Sequence, residues 1–346
     1  MTERRGVSTT RMTPASKIAL RFLLPAVILL LAGNGWAAAP LVLERTIPLA
    51  GVSGRIDHLA VDLGRKRLLV AELGNGTVDV VDLGSGKVVH RLSGLREPQG
   101  IGYAPQADII AVANGGDGSV RLFRGEDFAP VAVLDLMDDA DNVRLDAGSG
   151  QFVVGYGNGA LALIDPVSRA VVRRANLPAH PEGIQLDPTT RRAFVNVPDA
   201  RQIAVVDLAA GKQVATWQVP RLDGNFPMAW NPAAAMIATV FRDPARLVLL
   251  DGHTGAVHLD IATCGDADDL FFDAARQRIY VSCGAGSVDV FQHDADSYRL
   301  LSAIDTSPGA RTSLFVPELD RLFVAARAGF FGFGSKAAIL VFRPQH

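Results

Sequence analysis

Apolar and polar residues alternate along most of the chain after residue 40, in short runs that are separated by turn residues. The run from Arg67 reads RLLVAELGNGTVDVVDLGSGKVV, and related runs begin at Arg192 (RAFVNVPDARQIAVVDLAAGKQV) and Arg278 (RIYVSCGAGSVDVFQHD). Short alternating or apolar runs bounded by glycine and asparagine predict β-strands joined as hairpins. Since no helical period interrupts this region, the pattern predicts an all-β chain.

The strand pattern repeats seven times at a spacing of about 43 residues. Each repeat has an innermost strand, such as HLAVDL from His58, followed by a second, a third and an outer strand. A repeat of this length is typical of a β-propeller, in which each blade is a four-stranded sheet. We therefore predict a seven-bladed β-propeller, with the later blades beginning near Gln99, Asp141, Glu182, Phe226, Asp268 and Arg311.

The seventh repeat has only three strands before the chain ends at His346. The segment LVLERTIPL from Leu41 can supply the fourth strand, so an N-terminal strand is expected to complete the last blade and close the ring. Closure removes two exposed sheet edges. We expect one domain over residues 41–346, and a monomer, because a closed ring has no free edge.

Residues 1–39 have a different composition from the repeats. Five basic residues precede an apolar run from Phe22 to Ala32, and small residues follow up to Pro40. This order predicts a secretory signal peptide that is removed from the mature protein. The run is too short to span a bilayer comfortably. We expect a periplasmic or secreted protein without a transmembrane segment after cleavage.

Composition narrows the function classes only a little. The chain is 49% hydrophobic with a formal net charge of −2, which argues against disorder. No basic stripe runs through the repeats, so nucleic-acid binding is not expected. The two cysteines, Cys264 and Cys283, fall in loops on the same face of the sixth blade, and an oxidising compartment favours a disulfide between them. Two separate buried thiols are the alternative.

The RLLVAEL, IIAVANG, RAFVNVP and RIYVSCG strands, each followed by a strand such as VDVVDL or IAVVDL, resemble YVTN-type repeats. Over residues 41–346 the chain is similar to the YncE-like seven-bladed propellers, a WD40-like architecture. The tyrosine and threonine of the family signature occur together in no blade. Members of that family are mostly exported, so the resemblance implies a location more firmly than a chemistry.

Acidic residues recur just before the innermost strands, in loops that open onto the mouth of the central channel. Aligning the repeats places about eight carboxylates around this opening. The expected residues of the channel mouth are Asp57, His58, Glu97, Gln99, Asp139, Asp141, Asn142, His180, Glu182, Asp268, Asp269 and Arg311. Like charges this close raise one another's pKa unless something offsets them.

Three arrangements would offset the repulsion. A hard cation such as Ca²⁺ or Mg²⁺, favoured here over zinc, would take oxygen ligands from Asp57, Asp141, Glu182 and Asp268. Zinc would recruit His58 and His180 beside carboxylates. Alternatively, Arg55, Arg144 and Arg311 neutralise the acids and leave a polar plug without a ligand.

A glycine-rich loop near the C-terminus carries Phe330, Phe331 and Phe333 and is predicted to lie on the face of the acidic rim. It could pack over the channel mouth, or it could act as an apolar lid or partner contact. For function we favour a non-catalytic binding or scaffold protein that takes a cation, a small ligand or a partner protein. The alternatives are a lactonase-like metal-dependent hydrolase and a propeller that binds a haem- or quinone-type cofactor. We assign no catalytic residue.

Overall fold

The computed structural model describes residues 9, 11, 39–295, 297–329 and 336–346. Contacts separate Met1–Ala37 from a compact unit, Ala38–His346, and the description below concerns the second unit. The described residues of this unit form 28 strands in seven four-stranded antiparallel sheets. These sheets are the blades of a seven-bladed β-propeller, as the repeats predict. Among the described residues no helix is long and apolar enough to cross a membrane.

The blades follow chain order, and each runs from an innermost to an outer strand. The first three blades are β2 (Leu59–Asp62), β3 (Arg67–Glu72), β4 (Thr77–Asp82), β5 (Lys87–Leu92); β6 (Pro98–Ala104), β7 (Ile109–Asn114), β8 (Ser119–Arg124), β9 (Pro130–Asp135); and β10 (Ala140–Asp146), β11 (Gln151–Tyr156), β12 (Ala160–Asp165), β13 (Ala170–Asn176). Blades 4 and 5 are β14 (Ile184–Asp187), β15 (Arg192–Val197), β16 (Gln202–Asp207), β17 (Lys212–Trp217); and β18 (Asp223–Asn231), β19 (Met236–Asp243), β20 (Ala245–Asp251), β21 (Val257–Ala262).

Blade 6 is β22 (Ala267–Asp273), β23 (Arg278–Cys283), β24 (Ser287–Asp294) and β25 (Ser297–Asp305). Blade 7 is β26 (Ser313–Val316), β27 (Arg321–Ala326), β28 (Ala338–Pro344) and β1 (Leu41–Pro48). Within the described residues, single-turn 3₁₀ helices lie in hairpins at Leu73–Asn75, Pro198–Ala200 and Pro317–Leu319. Strand β1 pairs antiparallel with β28, from Leu41 opposite Pro344 to Pro48 opposite Ala338. The N-terminal strand therefore closes the ring as predicted.

The core lies between blades rather than within them. Each of seven hydrophobic clusters joins two neighbouring blades, and together they cover all seven interfaces. At the seam between blades 7 and 1, for example, Ile47 and Phe323 pack with Leu68. A single blade has no partner for its apolar faces, so burial of these side chains stabilises the ring only when it is complete.

Two faces of the ring matter below. The mouth face carries the loops that enter the innermost strands and the loops that join second to third strands. The opposite face carries the turns from first to second and from third to outer strands. On that face Arg65 joins two blades, because its guanidinium contacts Asp62 at 3.0 Å and Asp108 at 2.8 Å. Arg276 repeats this arrangement between blades 6 and 7.

The predicted disulfide between Cys264 and Cys283 is present, with the two Cα atoms 5.9 Å apart. It joins the loop that enters β22 to the end of β23, both on the mouth face of blade 6. Asp289 holds the same loop through the backbone N–H of Cys264, at 2.9 Å. Blade 6 therefore holds its acidic loop by a covalent bond as well as by hydrogen bonds.

Candidate functional site

The loops of the mouth face bring their polar residues together because neighbouring innermost strands approach each other closely. Gly100 lies where β6 meets blade 3, and a side chain there would collide with the backbone carbonyl of Asp141. Gly183 has the same relation to the carbonyl of Phe226 in blade 5. Glycine at these two positions lets the acidic loops of adjacent blades lie side by side.

Asp141, His180 and Glu182 form a compact group, here named the His180 cluster. One ligand atom from each of the three lies within 4.8 Å of the others. The Nδ1 atom of His180 is 2.7 Å from the carbonyl oxygen of Gly157, so Nδ1–H donates to that oxygen. The Nε2 atom is consequently left 3.8 Å from Oδ2 of Asp141. This orientation leaves Nε2 without a proton of its own in the neutral ring.

Two further predicted residues support the His180 ring. Asp139 Oδ2 lies 3.7 Å from His180 Nδ1. Gln99 holds the other oxygen of Asp139, with Nε2 donating to Oδ1 at 3.0 Å. Blades 2, 3 and 4 therefore each contribute to the position of one imidazole.

The pKa values in the cluster reflect burial among like charges. Burial, and then the charge of Asp141, raises the pKa of Glu182 to about 8. Burial opposes protonation of His180, yet the adjacent carboxylates, first among them Asp141, raise its pKa to about 9. Burial likewise tends to raise the pKa of Asp141, but the hydrogen bond with His180 lowers it overall. The cluster therefore holds excess protons at neutral pH that a cation could displace.

Asp268, in the corresponding loop of blade 6, has a different environment, here named the arginine clamp. Its two carboxylate oxygens contact Arg242 at 2.5 Å and Arg311 at 2.9 Å. Arg311 also binds Asp266 at 2.8 Å. Arg242 reaches from β19 of blade 5, with its guanidinium 3.7 Å from the ring centre of Phe226. Two guanidinium groups thus neutralise Asp266 and Asp268.

A second histidine lies between these two groups. His58 Nε2 is 3.2 Å from the side-chain amide of Asn142, and Nδ1 is 3.9 Å from Asp269. Burial opposes protonation of His58, but the surrounding carboxylates, chiefly Asp269, raise its pKa to about 9. Asp269 also accepts a hydrogen bond from the backbone N–H of Ser313 at 2.8 Å. Both ring nitrogens of His58 therefore face protein partners.

The remaining acid of the inner ring is Asp57, which is almost completely buried and contacts Arg55 at 2.7 Å. Burial raises the pKa of Asp57 to about 6. Inside the channel, next to Glu182 and Asp269, is a cavity of about 20 Å³. A volume of this size admits about one water molecule or a small ion.

The structure brings most of the predicted rim residues into contact with one another. Glu97 is the exception, since its side chain is exposed at the rim without an ion pair among the described residues. The lid residues Phe330, Phe331 and Phe333 lie outside the described residues. Sequence reasoning missed Arg242, which comes from the least regular repeat and reaches the site from a second strand.

Comparison with known proteins gives the fold and no more. No family model and no curated protein sequence matches the chain. Among solved structures, a chain of hydrazine synthase from Kuenenia stuttgartiensis aligns with a TM-score of 0.72 at 14% identity, over 85% of this chain and 98% of that one.

Two other similar structures are the WD40 repeats of RRP9 and a chain of the mitotic checkpoint complex. The first has a TM-score of 0.73 at 9% identity, over 89% of this chain and 98% of that one. The second has a TM-score of 0.74 at 14% identity, over 97% of this chain and 99% of that one. These likenesses establish a WD40-like propeller, and propellers of one shape carry unrelated functions.

Proposed function

We propose that the protein is a binding propeller whose His180 cluster holds a divalent metal ion at the channel mouth. The observation that carries this proposal is the orientation of His180, whose Nδ1–H is bound to Gly157 while Nε2 points to Asp141. Histidine ligands of metals typically donate their second ring N–H to a backbone carbonyl in this way. Asp141 and Glu182 would supply two carboxylate oxygens.

The donor set favours zinc over calcium. Imidazole nitrogen suits zinc and neighbouring transition metals, whereas calcium takes six to eight oxygen ligands. The candidate hard-cation set of four acids is less favourable, because Asp268 is bound by two arginines and Asp57 by one. The three donor atoms lie within 4.8 Å of one another. Metal–ligand bonds of about 2.1 Å require these atoms to move closer together.

Three protein ligands leave one position of a tetrahedral zinc ion open. A carboxylate or carbonyl oxygen of a small ligand or partner protein could take that position. The same open position supports the second candidate, a lactonase-like hydrolase, since a metal-bound water is a nucleophile at neutral pH. A haem or quinone does not fit the cavity of about 20 Å³ next to these residues.

The test is a metal analysis of the exported, chelator-free protein after dialysis against zinc, manganese, calcium or magnesium, by inductively coupled plasma mass spectrometry. We expect about one zinc ion per chain, which Asp141→Asn and His180→Gln each abolish. His58→Gln is the matched control, because it removes the other channel histidine and should retain the ion. Absence of metal from the wild type, or full retention by His180→Gln, would contradict the proposal.

Lactone and ester hydrolysis by the zinc-loaded protein distinguishes the two candidates. Turnover that is lost in Asp141→Asn would favour the hydrolase, whereas zinc binding without turnover favours the binding role.

We also propose that the protein is exported and belongs with the YVTN-repeat, YncE-like propellers. The basic and apolar start of the chain and the disulfide of blade 6 support export, because disulfides persist in oxidising compartments. Detection of a shortened N-terminus in periplasmic fractions would test this.

A further inference from the structure

A groove of about 510 Å³ lies on the opposite face, at the seam where blade 7 meets blade 1. Its floor is apolar: Phe323 and Val341 are each 2% exposed, and Leu83 and Leu319 are half-buried. Its rim is charged and consists of Glu44, Arg45, Lys66 and Arg321. This seam groove lies on the face away from the channel mouth and contains none of the mouth-face residues discussed above.

The charged side chains of the rim carry a net positive charge. Arg321 binds both oxygens of Glu44, so this pair is neutral. Arg45 instead donates from Nη2 to the carbonyl oxygen of Leu83 at 2.7 Å, which fixes its guanidinium across the groove. Among the described residues neither Arg45 nor Lys66 forms an ion pair with a carboxylate. Two cations therefore flank an apolar floor in a chain whose net charge is −2.

The same position between blades 5 and 6 provides an internal comparison. The groove there measures about 300 Å³ and is lined by residues such as Ala233, Phe272, Gln277 and Tyr298, with no lysine or arginine among its described lining residues. The seam groove is larger, and it is basic because β1 contributes Arg45 and the first turn of blade 1 contributes Lys66. The groove between blades 5 and 6 therefore does not share its charge.

We propose that the seam groove binds a small amphipathic monocarboxylate. The carboxylate lies between Arg45 and Lys66, and the hydrocarbon part covers Leu83, Phe323 and Val341. Charge complementarity selects the anion, while the apolar floor selects a ligand with a tail over acetate or another small anion. The volume falls within the roughly 300–1,000 Å³ of small-molecule sites.

Isothermal titration calorimetry of the full protein with decanoate, below its micelle concentration, tests the proposal. We expect saturable binding of one decanoate per chain. Decanol, which has the same tail without the charge, should bind at least about tenfold more weakly, since it lacks the charge-assisted hydrogen bonds. Acetate should not bind measurably, because it has no tail to cover the floor.

Two variants locate the site. Lys66→Glu changes an exposed side chain and should weaken decanoate binding at least about tenfold, with an unchanged thermal melting curve. Gln277→Glu places the same charge in the groove between blades 5 and 6 and should leave binding unchanged. Equal binding of decanoate and decanol would overturn the proposal. So would the absence of decanoate binding, or full affinity in a folded Lys66→Glu variant.

Discussion

Blades 3 and 6 carry nearly the same acidic segment in the same loop, DDADN from Asp138 and GDADD from Gly265, but the structure places them in opposite environments. In blade 6, Asp268 is bound by Arg242 and Arg311. In blade 3, Asp141 faces a histidine and a second carboxylate instead. One segment is neutralised internally, and the other is left with an arrangement that a cation would complete. Similar sequences therefore acquire different chemistry from the residues that neighbouring blades bring to them.

The largest expected effect concerns the disulfide, which only the blade 6 segment has. Its cysteines are 19 residues apart, and a loop of that order corresponds to about 3 kcal/mol of unfolding free energy. We expect Cys264→Ser with Cys283→Ser to lose about that amount in urea denaturation. Zinc affinity should not change, because the His180 cluster lies in blades 3 and 4. A stable variant that loses zinc would show that the two segments act as one site.

The next prediction concerns His58, whose Nδ1 lies 3.9 Å from the blade 6 acid Asp269. Its pKa is raised from about 6.5 in the unfolded chain to about 9 in the folded protein. The folded state therefore binds the proton more tightly than the unfolded chain does. The resulting contribution of His58 to the free energy of unfolding is complete below pH 6.5 and is lost as the pH rises to 9. Over this pH range we expect the free energy of unfolding of the metal-free wild type to fall by roughly 2 to 3 kcal/mol more than that of the His58→Gln variant.

Urea denaturation at pH 6 and pH 9 measures this difference. Glu182, His180 and Glu72 also have raised pKa values, so their contributions to the loss of stability with rising pH have the same sign as that of His58. His253→Gln, which replaces an exposed histidine, is the matched control. Its free energy of unfolding should change with pH as that of the wild type does. A His58→Gln variant with that same pH dependence would show that the ion pair with Asp269 does not form.

A direct comparison of the two segments is the pair Asp268→Asn and Asp141→Asn without metal. Asp268→Asn leaves two half-buried guanidinium groups with only the exposed Asp266 as a charged acceptor and should cost about 2 kcal/mol. Asp141→Asn should cost less, since the lost charge attracts His180 but repels Glu182. The free energy of unfolding in urea, at pH 7, measures both. Equal losses would remove the distinction between clamp and cluster.

The sequence was sufficient to predict the closed ring of blades, but not to distinguish the arginine clamp from the His180 cluster. Hairpin turns such as Gly74-Asn75-Gly76 and the constant repeat length define strands, blades and closure locally, which is why the predicted β1 and β28 pairing is confirmed. Whether a given carboxylate is bound by arginine or by histidine depends on side chains from other repeats. Arg242 contacts Asp268 from β19 of the preceding blade, and no local sequence pattern predicts this contact.

The smallest expected effect concerns support of the His180 ring from blade 2. Gln99→Ala removes the donor that holds Asp139 against His180. Residues that orient a metal ligand typically change affinity by 10- to 100-fold, and we expect about tenfold here because Gly157 still holds the ring. Competition with a zinc-sensitive dye measures it. Gln292→Ala, a glutamine in blade 6 away from the mouth, should leave the affinity unchanged.

The central claim is that the two acidic segments differ, with a metal ion bound by one and not by the other. Crystals grown with zinc and measured on both sides of the zinc absorption edge test this most directly. We predict a single strong anomalous peak on the mouth face, bonded to Asp141, His180 and Glu182, with Asp268 still bound by its two arginines. A peak at Asp268, or none at the His180 cluster in zinc-saturated crystals, would contradict the account.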